Sequence, residues 1–222
     1  MCGRVVKKDP VTGVGYPVPF ATVLQRRRSV REFILRPLET ERVGRLLYAS
    51  YGVRGHRQVE GQWTYDRPSP SAGGLYPLEL YVATQAVKGL PDGVYHYDAR
   101  AHQLELMGAG LIHPHLADMT IGQEMIRDTN LVIMISAVFQ RSMWKYGQRG
   151  YRYVWLDAGH LCQNIYLVAV ALGLGPVSIG GFFDDEINHL VGLPAREEGV
   201  IYLVCVGQPK DAHDGRFHEG VG

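Results

Sequence analysis

The sequence has 222 residues, 46% of them apolar, and 23 basic side chains face 22 acidic ones. This length can bury a sizeable core, and the composition excludes general disorder. A balance so close to neutral excludes a general nucleic-acid or membrane-surface binder, whose affinity rests on excess basic charge.

Residues 1–20 carry Pro10, Pro17 and Pro19 with three glycines, and they predict an irregular N-terminal arm. A short helix is expected from Thr22 to Arg28, and a second one from Thr40, where Glu39 and Glu41 suit a helix N-terminus. Val43, Leu46, Leu47 and Ser50 then share one helical face. Residues 52–70 hold glycines, prolines and charges without periodicity and predict a long loop.

Leu78 to Thr84 alternates as a strand, and Lys88 to Gly93 is a turn. Val94–Tyr97 and Gln103–Met107 predict a hairpin around Asp98 to His102. A helix is expected from Ile112 to Met125. Leu131 to Phe139 is a continuous apolar run rich in β-branched residues, the pattern of a strand buried on both faces. Tyr153 to Leu172 predicts a long helix, apolar nearly all round from Ile165 onward and so enclosed in a core or at a subunit interface. Asp184–Val191 is a short helix and Gly199–Val206 a last apolar strand. A polar, Gly-rich tail occupies residues 208–222. The mixture is α+β and lacks the regular βαβ alternation of a doubly wound sheet.

Cys2, Cys162 and Cys205 have no metal-type spacing, and an odd count within apolar runs suggests reduced, buried thiols. The first residues lack the apolar core of a signal peptide, and no run approaches the length of a membrane span. The expectation is a cytoplasmic protein with a single domain over residues 1–222. The nine histidines include His113 and His115 around a proline, but no cysteine or carboxylate stands at ligand spacing, so no metal site is expected.

Four motifs carry chemistry. Arg26 to Arg31 packs four guanidiniums and Ser29 into six residues, a composition that grips a phosphate through bidentate, charge-assisted hydrogen bonds. Its bland alternative is a solvated basic helix end. Pro70-Ser71-Ala72-Gly73-Gly74-Leu75-Tyr76-Pro77 is a turn of small residues that lets backbone approach a planar ring or an anion. Gly173 to Gly181 is Gly-rich, but it follows a helix instead of a strand, which argues against a dinucleotide fingerprint. Gly173 and Gly175 alone read as a helix C-cap. The fourth motif is Trp144-Lys145-Tyr146. Neighbours on a helix point in different directions, so a loop is expected where Lys145 and Tyr146 share a cleft. There the lysine would lower the phenol's pKa by charge and make it a usable base. A surface lysine beside a packing tyrosine is the alternative. Asp157, His160, Gln163 and Asn164 line the first half of the long helix; they are expected to satisfy buried polar groups or interface contacts and are assigned no chemistry.

In order and spacing these motifs resemble the nitroreductase-like flavoproteins that bind FMN, over about residues 23–207. The wording from Ser71 to Val82 is most similar to the SagB-type dehydrogenases, which form thiazoles and oxazoles. The resemblance implies an α+β fold, a mostly antiparallel central sheet sandwiched by helices. It implies a homodimer with FMN at the interface. Arg27, Arg28, Ser29 and Arg31 would hold the phosphate. Pro70, Ser71, Ala72, Gly73 and Tyr76 would wrap the flavin of the neighbouring subunit. Ile179, Gly180 and Gly181 would lie at its N5 edge, and Arg216 is where the family often adds a phosphate contact. Lys145 and Tyr146 would be catalytic, with either one as the base. The implied activity is FMN-dependent oxidation of a peptide azoline, with a cyclodehydratase as a possible partner. The alternatives are an NAD(P)H-dependent reductase of nitro compounds, quinones or enones acting on a small molecule, and a flavin-binding accessory protein without turnover.

Overall fold

The computed structural model describes residues 6–7, 18–59, 61–194 and 197–210. In chain order the first elements are β1 (Val6–Lys7), α1 (Phe20–Arg26), β2 (Leu38–Glu39), α2 (Thr40–Tyr51), β3 (Gly55–Val59), β4 (Gln62–Asp66) and β5 (Leu78–Thr84). They are followed by β6 (Val87–Lys88), β7 (Gly93–Asp98), β8 (Gln103–Ala109), α3 (His113–Asp118), β9 (Leu131–Val138) and α4 (Gln140–Tyr146). The last are α5 (Arg149–Ala171), β10 (Gly175–Ile179), α6 (Asp184–Leu190) and β11 (Glu198–Gly207).

Seven strands form one sheet in the order β1-β8-β7-β5-β9-β11-β10, and every pairing in it is antiparallel. β9 lies between β5 and β11, with Ile133 opposite Val82 on one side and Val204 on the other. Because side chains alternate along a strand, its unbroken apolar run supplies two cores. Leu131, Ile133, Ile135 and Ala137 pack under α2 and α5, with Leu46, Leu47, Leu161 and Ile165. Val132 and Met134 face the opposite layer, with Leu116 of α3 and Ile187 of α6. Each such side chain removed from water contributes roughly 1.5–3 kcal/mol, so the sheet is clamped from both faces. The expected α+β sandwich is the observed architecture.

Several local expectations are corrected. Residues 52–70 are no loop: β3 and β4 pair in register from Gly55–Asp66 to Val59–Gln62, and Gly61 sits at the turn with φ 78°. The hairpin stands off the main sheet and carries mostly polar side chains, so it never shows the apolar alternation by which a half-buried strand is read. The helix expected from Ile112 to Met125 stops at Asp118, and a short 3-10 turn follows at Glu124–Asp128. Gly122, at φ 67°, and the bridge from Thr120 to Phe182 divert the chain between them. The irregular arm contains β1, whose backbone pairs with Leu104 and Gln103 of β8. α1 begins at Phe20 and stops at Arg26, two residues short of the expected end, because Arg27 is extended (ψ 120°). Gly173 ends α5 at φ 72° as a C-cap glycine should, but Gly175 already begins β10. No helix among the described residues is long and apolar enough to cross a membrane.

Candidate active site

The predicted site residues fall into two groups, set against α5 at different heights. The first is the basic segment. Beyond α1 the chain runs extended along the sheet edge, pinned by Val30 N–H to the Pro176 carbonyl (2.9 Å) and Ile34 N–H to the Gln208 carbonyl (2.9 Å). This leaves Arg28, Ser29 and Arg31 exposed and Arg27 half-buried. The Arg27 guanidinium lies 5.8 Å from the Tyr166 ring centroid. Tyr166, on α5, joins this segment to β10. Its hydroxyl is 3.2 Å from Ser29 Oγ and accepts the Ser178 N–H at 2.7 Å, while Tyr202 donates to Ser178 Oγ at 2.9 Å. Ile179, next to Ser178, is buried, whereas Gly180 and Gly181 are exposed. The structure therefore ties the segment around Ser29 and Val30 to β10 at Pro176 and Ser178, the strand that ends at Ile179. Tyr166, the residue that couples them, was missed in the sequence because a tyrosine inside an apolar helical stretch looks like packing.

The second group surrounds the small-residue turn. Ser71 Oγ donates to Asp157 Oδ2 (2.5 Å) and accepts the Tyr76 N–H (2.9 Å), and Ala72 N–H reaches Asp157 Oδ1 (3.3 Å). Asp157 is 5% exposed, and burial raises its carboxyl pKa against the hydrogen bonds from Ser71 and Ala72. It thus ties the turn to α5. The only sequence signal for this was a carboxylate among the buried positions Val154, Ala158 and Leu161.

Held this way, Gly73 takes φ 62°, where a Cβ would lie 2.5 Å from Tyr146 Oη and 3.3 Å from Lys145 Nζ. Gly73, Lys145 and Tyr146 are thus brought together. The pair does not come from a loop, however: both residues occupy the last turn of α4, which Gly147 ends at φ 55°. Long side chains at a helix end converge on one point despite the angle between them. The Tyr146 ring is further fixed edge-on against Tyr153, 4.8 Å away. Pro70 and Tyr76 flank the turn, and Tyr76 Oη accepts from Arg57 at 3.4 Å. Arg216 lies outside the described residues.

Comparison with known proteins places this geometry. The model of the family described as "Nitroreductase family" matches residues 24–208. The chain belongs to the nitroreductase family. Protein MJ1384 of Methanocaldococcus jannaschii, which carries a nitroreductase name, is 38% identical over 84% of this chain and 89% of its own length. The microcin B17-processing protein McbC of Escherichia coli is 26% identical over 65% of this chain, but that match spans only 55% of McbC. Among solved structures, a nitroreductase-type protein of Ralstonia eutropha superposes with a TM-score of 0.75 at 26% identity, covering 94% of this chain and 90% of that one. A chain of the E. coli microcin synthetase McbBCD complex with truncated pro-MccB17 bound shares the fold, with a TM-score of 0.73 at 22% identity over 93% and 78% of the two chains. This nitroreductase-family chain is accordingly an oxidoreductase, built on the sheet and helices described above.

Proposed function

We propose that this nitroreductase-family protein binds FMN and oxidises a thiazoline or oxazoline in a peptide to the aromatic azole. The carrying observation is the convergence of Lys145 Nζ and Tyr146 Oη on Gly73. The residues present fit the cofactor. The exposed cations Arg28 and Arg31 stand beside Arg27 and Ser29, and a Cβ at Gly180 would meet nothing within 4 Å, so its backbone has room for a ring. Arg27, Arg28, Ser29 and Arg31 would hold the phosphate, while Ile179, Gly180 and Gly181 would border the ring. Pro70, Ser71, Ala72, Gly73 and Tyr76 of a second copy would close over it in a homodimer.

When bound, FMN supplies a two-electron acceptor. The protein's own task is the proton. One of Lys145 and Tyr146 removes it from the ring carbon beside the carbonyl, and the other stabilises the charge of its neighbour. Asp157 acts at a distance from this chemistry by fixing the Ser71–Tyr76 turn against which the pair is aimed. Since an azoline must first be formed by dehydration of a Cys, Ser or Thr peptide, a cyclodehydratase is the partner this reaction calls for. The likeness to McbC, a microcin-processing protein, supports that reading. The free, buried thiols of Cys162 and Cys205 suit a reducing cytoplasm.

The likeness to MJ1384 favours a second reading, an NAD(P)H-dependent reductase of nitro compounds, quinones or enones. Anaerobic mixing of the FMN-loaded protein separates the two. Flavin bleaching by an azoline peptide, with loss of two mass units per ring from the peptide, supports the dehydrogenase. Bleaching by NADPH alone supports the reductase, and bleaching by neither leaves a flavin-binding accessory protein.

A further inference from the structure

Beside the convergent pair a pocket of about 470 Å³ opens between the β3–β4 hairpin and the β7–β8 turn, and Gly73 and Lys145 form part of its wall. Its charges are unequally compensated. Glu79, one of its two carboxylates, already accepts from Arg141 (2.5 Å) and stands 3.4 Å from His96 Nε2. The other, Asp98, accepts the backbone N–H groups of Arg100 (2.8 Å) and Ala101 (3.1 Å).

Arg67 and Arg100 have no carboxylate partner among the described residues. The Arg67 guanidinium is instead stacked among the rings of Tyr51 (4.3 Å), Tyr76 (5.2 Å) and Tyr65 (5.6 Å). Its one side-chain hydrogen bond among these residues goes to the Tyr51 carbonyl, and its buried Nε has no acceptor. Arg100 lies over the other part of the wall, 5.0 Å from Tyr65. Aromatic faces position a cation but leave its charge uncancelled, and a partly buried cation favours an anion beside it. Trp63, 71% exposed on the hairpin, offers a planar surface at the same wall.

We infer that this pocket is a carboxylate-recognition site, in which Arg67 and Arg100 hold a carboxylate of the substrate while Trp63 and Tyr65 cover its planar part. The site rests on the dehydrogenase reading only for the identity of the ring. The carboxylate has two sources of the same chemistry, the peptide's chain terminus or an Asp or Glu side chain next to the ring.

The test is calorimetric titration of the flavin-loaded protein with a phenylthiazole carboxylate and with its carboxamide. These probes are already aromatic, so binding is read without turnover. The acid should bind the wild type at least about tenfold more tightly than the amide, the scale of a charge-assisted hydrogen bond. Arg67→Gln and Arg100→Gln should each remove most of that preference, and salt should weaken the acid alone. Arg67→Gln disturbs a packed stack; if it does not fold, the exposed Arg100 decides. Two thiazole peptides assign the source: one with a free C-terminus and no acidic side chain, the other amidated with an Asp after the ring. A preference for either over its neutral counterpart supports the site. Equal binding of acid and amide, or a preference that survives in the folded variants, overturns it. Acid preference without oxidation of any azoline peptide would sink the dehydrogenase reading and leave the pocket standing; azoline oxidation without acid preference would do the reverse.

Discussion

At the residue scale, two glycines make opposite demands. A Cβ at Gly73 would strike Tyr146 Oη, whereas at Gly180 it would meet no protein atom. Gly180→Ala should therefore leave thermal stability unchanged and still weaken FMN, because only the ligand is there to collide; unchanged FMN affinity in equilibrium dialysis would move the ring elsewhere. For the pair itself, Lys145→Ala and Tyr146→Phe should each retain FMN while azoline oxidation falls by about 10²–10⁴-fold, the usual contribution of a positioned acid or base. The double variant should be little worse than either single one, since residues acting as a unit are not additive. Near-wild-type azole formation by mass spectrometry in both singles would exclude them from the chemistry. The small-residue turn beside them was not foreseen, but that Lys145 and Tyr146 share a cleft was legible in the sequence. Their setting at the end of α4 was not, since the three-dimensional aim of a side chain is decided by Gly147 and by packing against Tyr153. Asp157 was legible as a carboxylate serving polar groups, but its partner was not: Ser71 is 86 residues away, and nothing local marks the contact.

At the element scale, Tyr166 is the rivet between the segment after α1 and β10. Tyr166→Phe deprives the Ser178 N–H and Ser29 of their partner, which should cost about 1–3 kcal/mol in denaturant unfolding and loosen FMN through the displaced Ser29. Stability loss with FMN affinity intact would mean that the rivet serves the fold alone. The interior strands β5, β9 and β11 were readable because apolar runs of strand length have one good solution, burial on both faces. The β3–β4 hairpin, polar and outside the main sheet, was not. Between β5 and β7 lies a pH-sensitive link. Burial would raise the Glu79 carboxyl, but hydrogen bonds from His96 and Arg141 hold it below its usual value of 4.5. The hydrogen bond to Glu79 lifts His96 above 6.5, against the opposing effect of burial. The stability from Glu79 is thus present above pH 4.5 and lost as pH falls through its lowered folded value. That from His96 is complete below pH 6.5 and lost as pH rises through its raised folded value. Thermal melts of His96→Gln should lack the decline that the wild type shows above that pH while keeping the acid-side decline. The same alkaline slope in both proteins would place its origin in another group.

For the whole molecule, the spacing along α5 matters most. Asp157, which holds the turn, and Tyr166, which holds the basic segment, are nine residues apart. At 1.5 Å per residue that is about 13–14 Å along the axis, and at 3.6 residues per turn they point in opposite directions. Within one chain the two halves of the proposed flavin site are therefore separated along and around this helix. α5 exposes Trp155 and Leu156, 53% and 52% accessible, just before Asp157, and Gly159, His160 and Gln163 between Asp157 and Tyr166. Large apolar side chains in the middle of a helix are usually covered, and a second copy would cover them while bringing its own Pro70–Pro77 turn to the first copy's basic segment. Leu156→Asp places a charge at that contact without touching a residue proposed to hold FMN. It should convert a dimer into a folded monomer, and FMN should be lost in the same step because the ring would no longer be enclosed. Light scattering and flavin absorbance on the same chromatographic peak read both quantities. A variant monomer that keeps its FMN, or a wild type that is a flavin-loaded monomer, would show that one chain builds the site by itself.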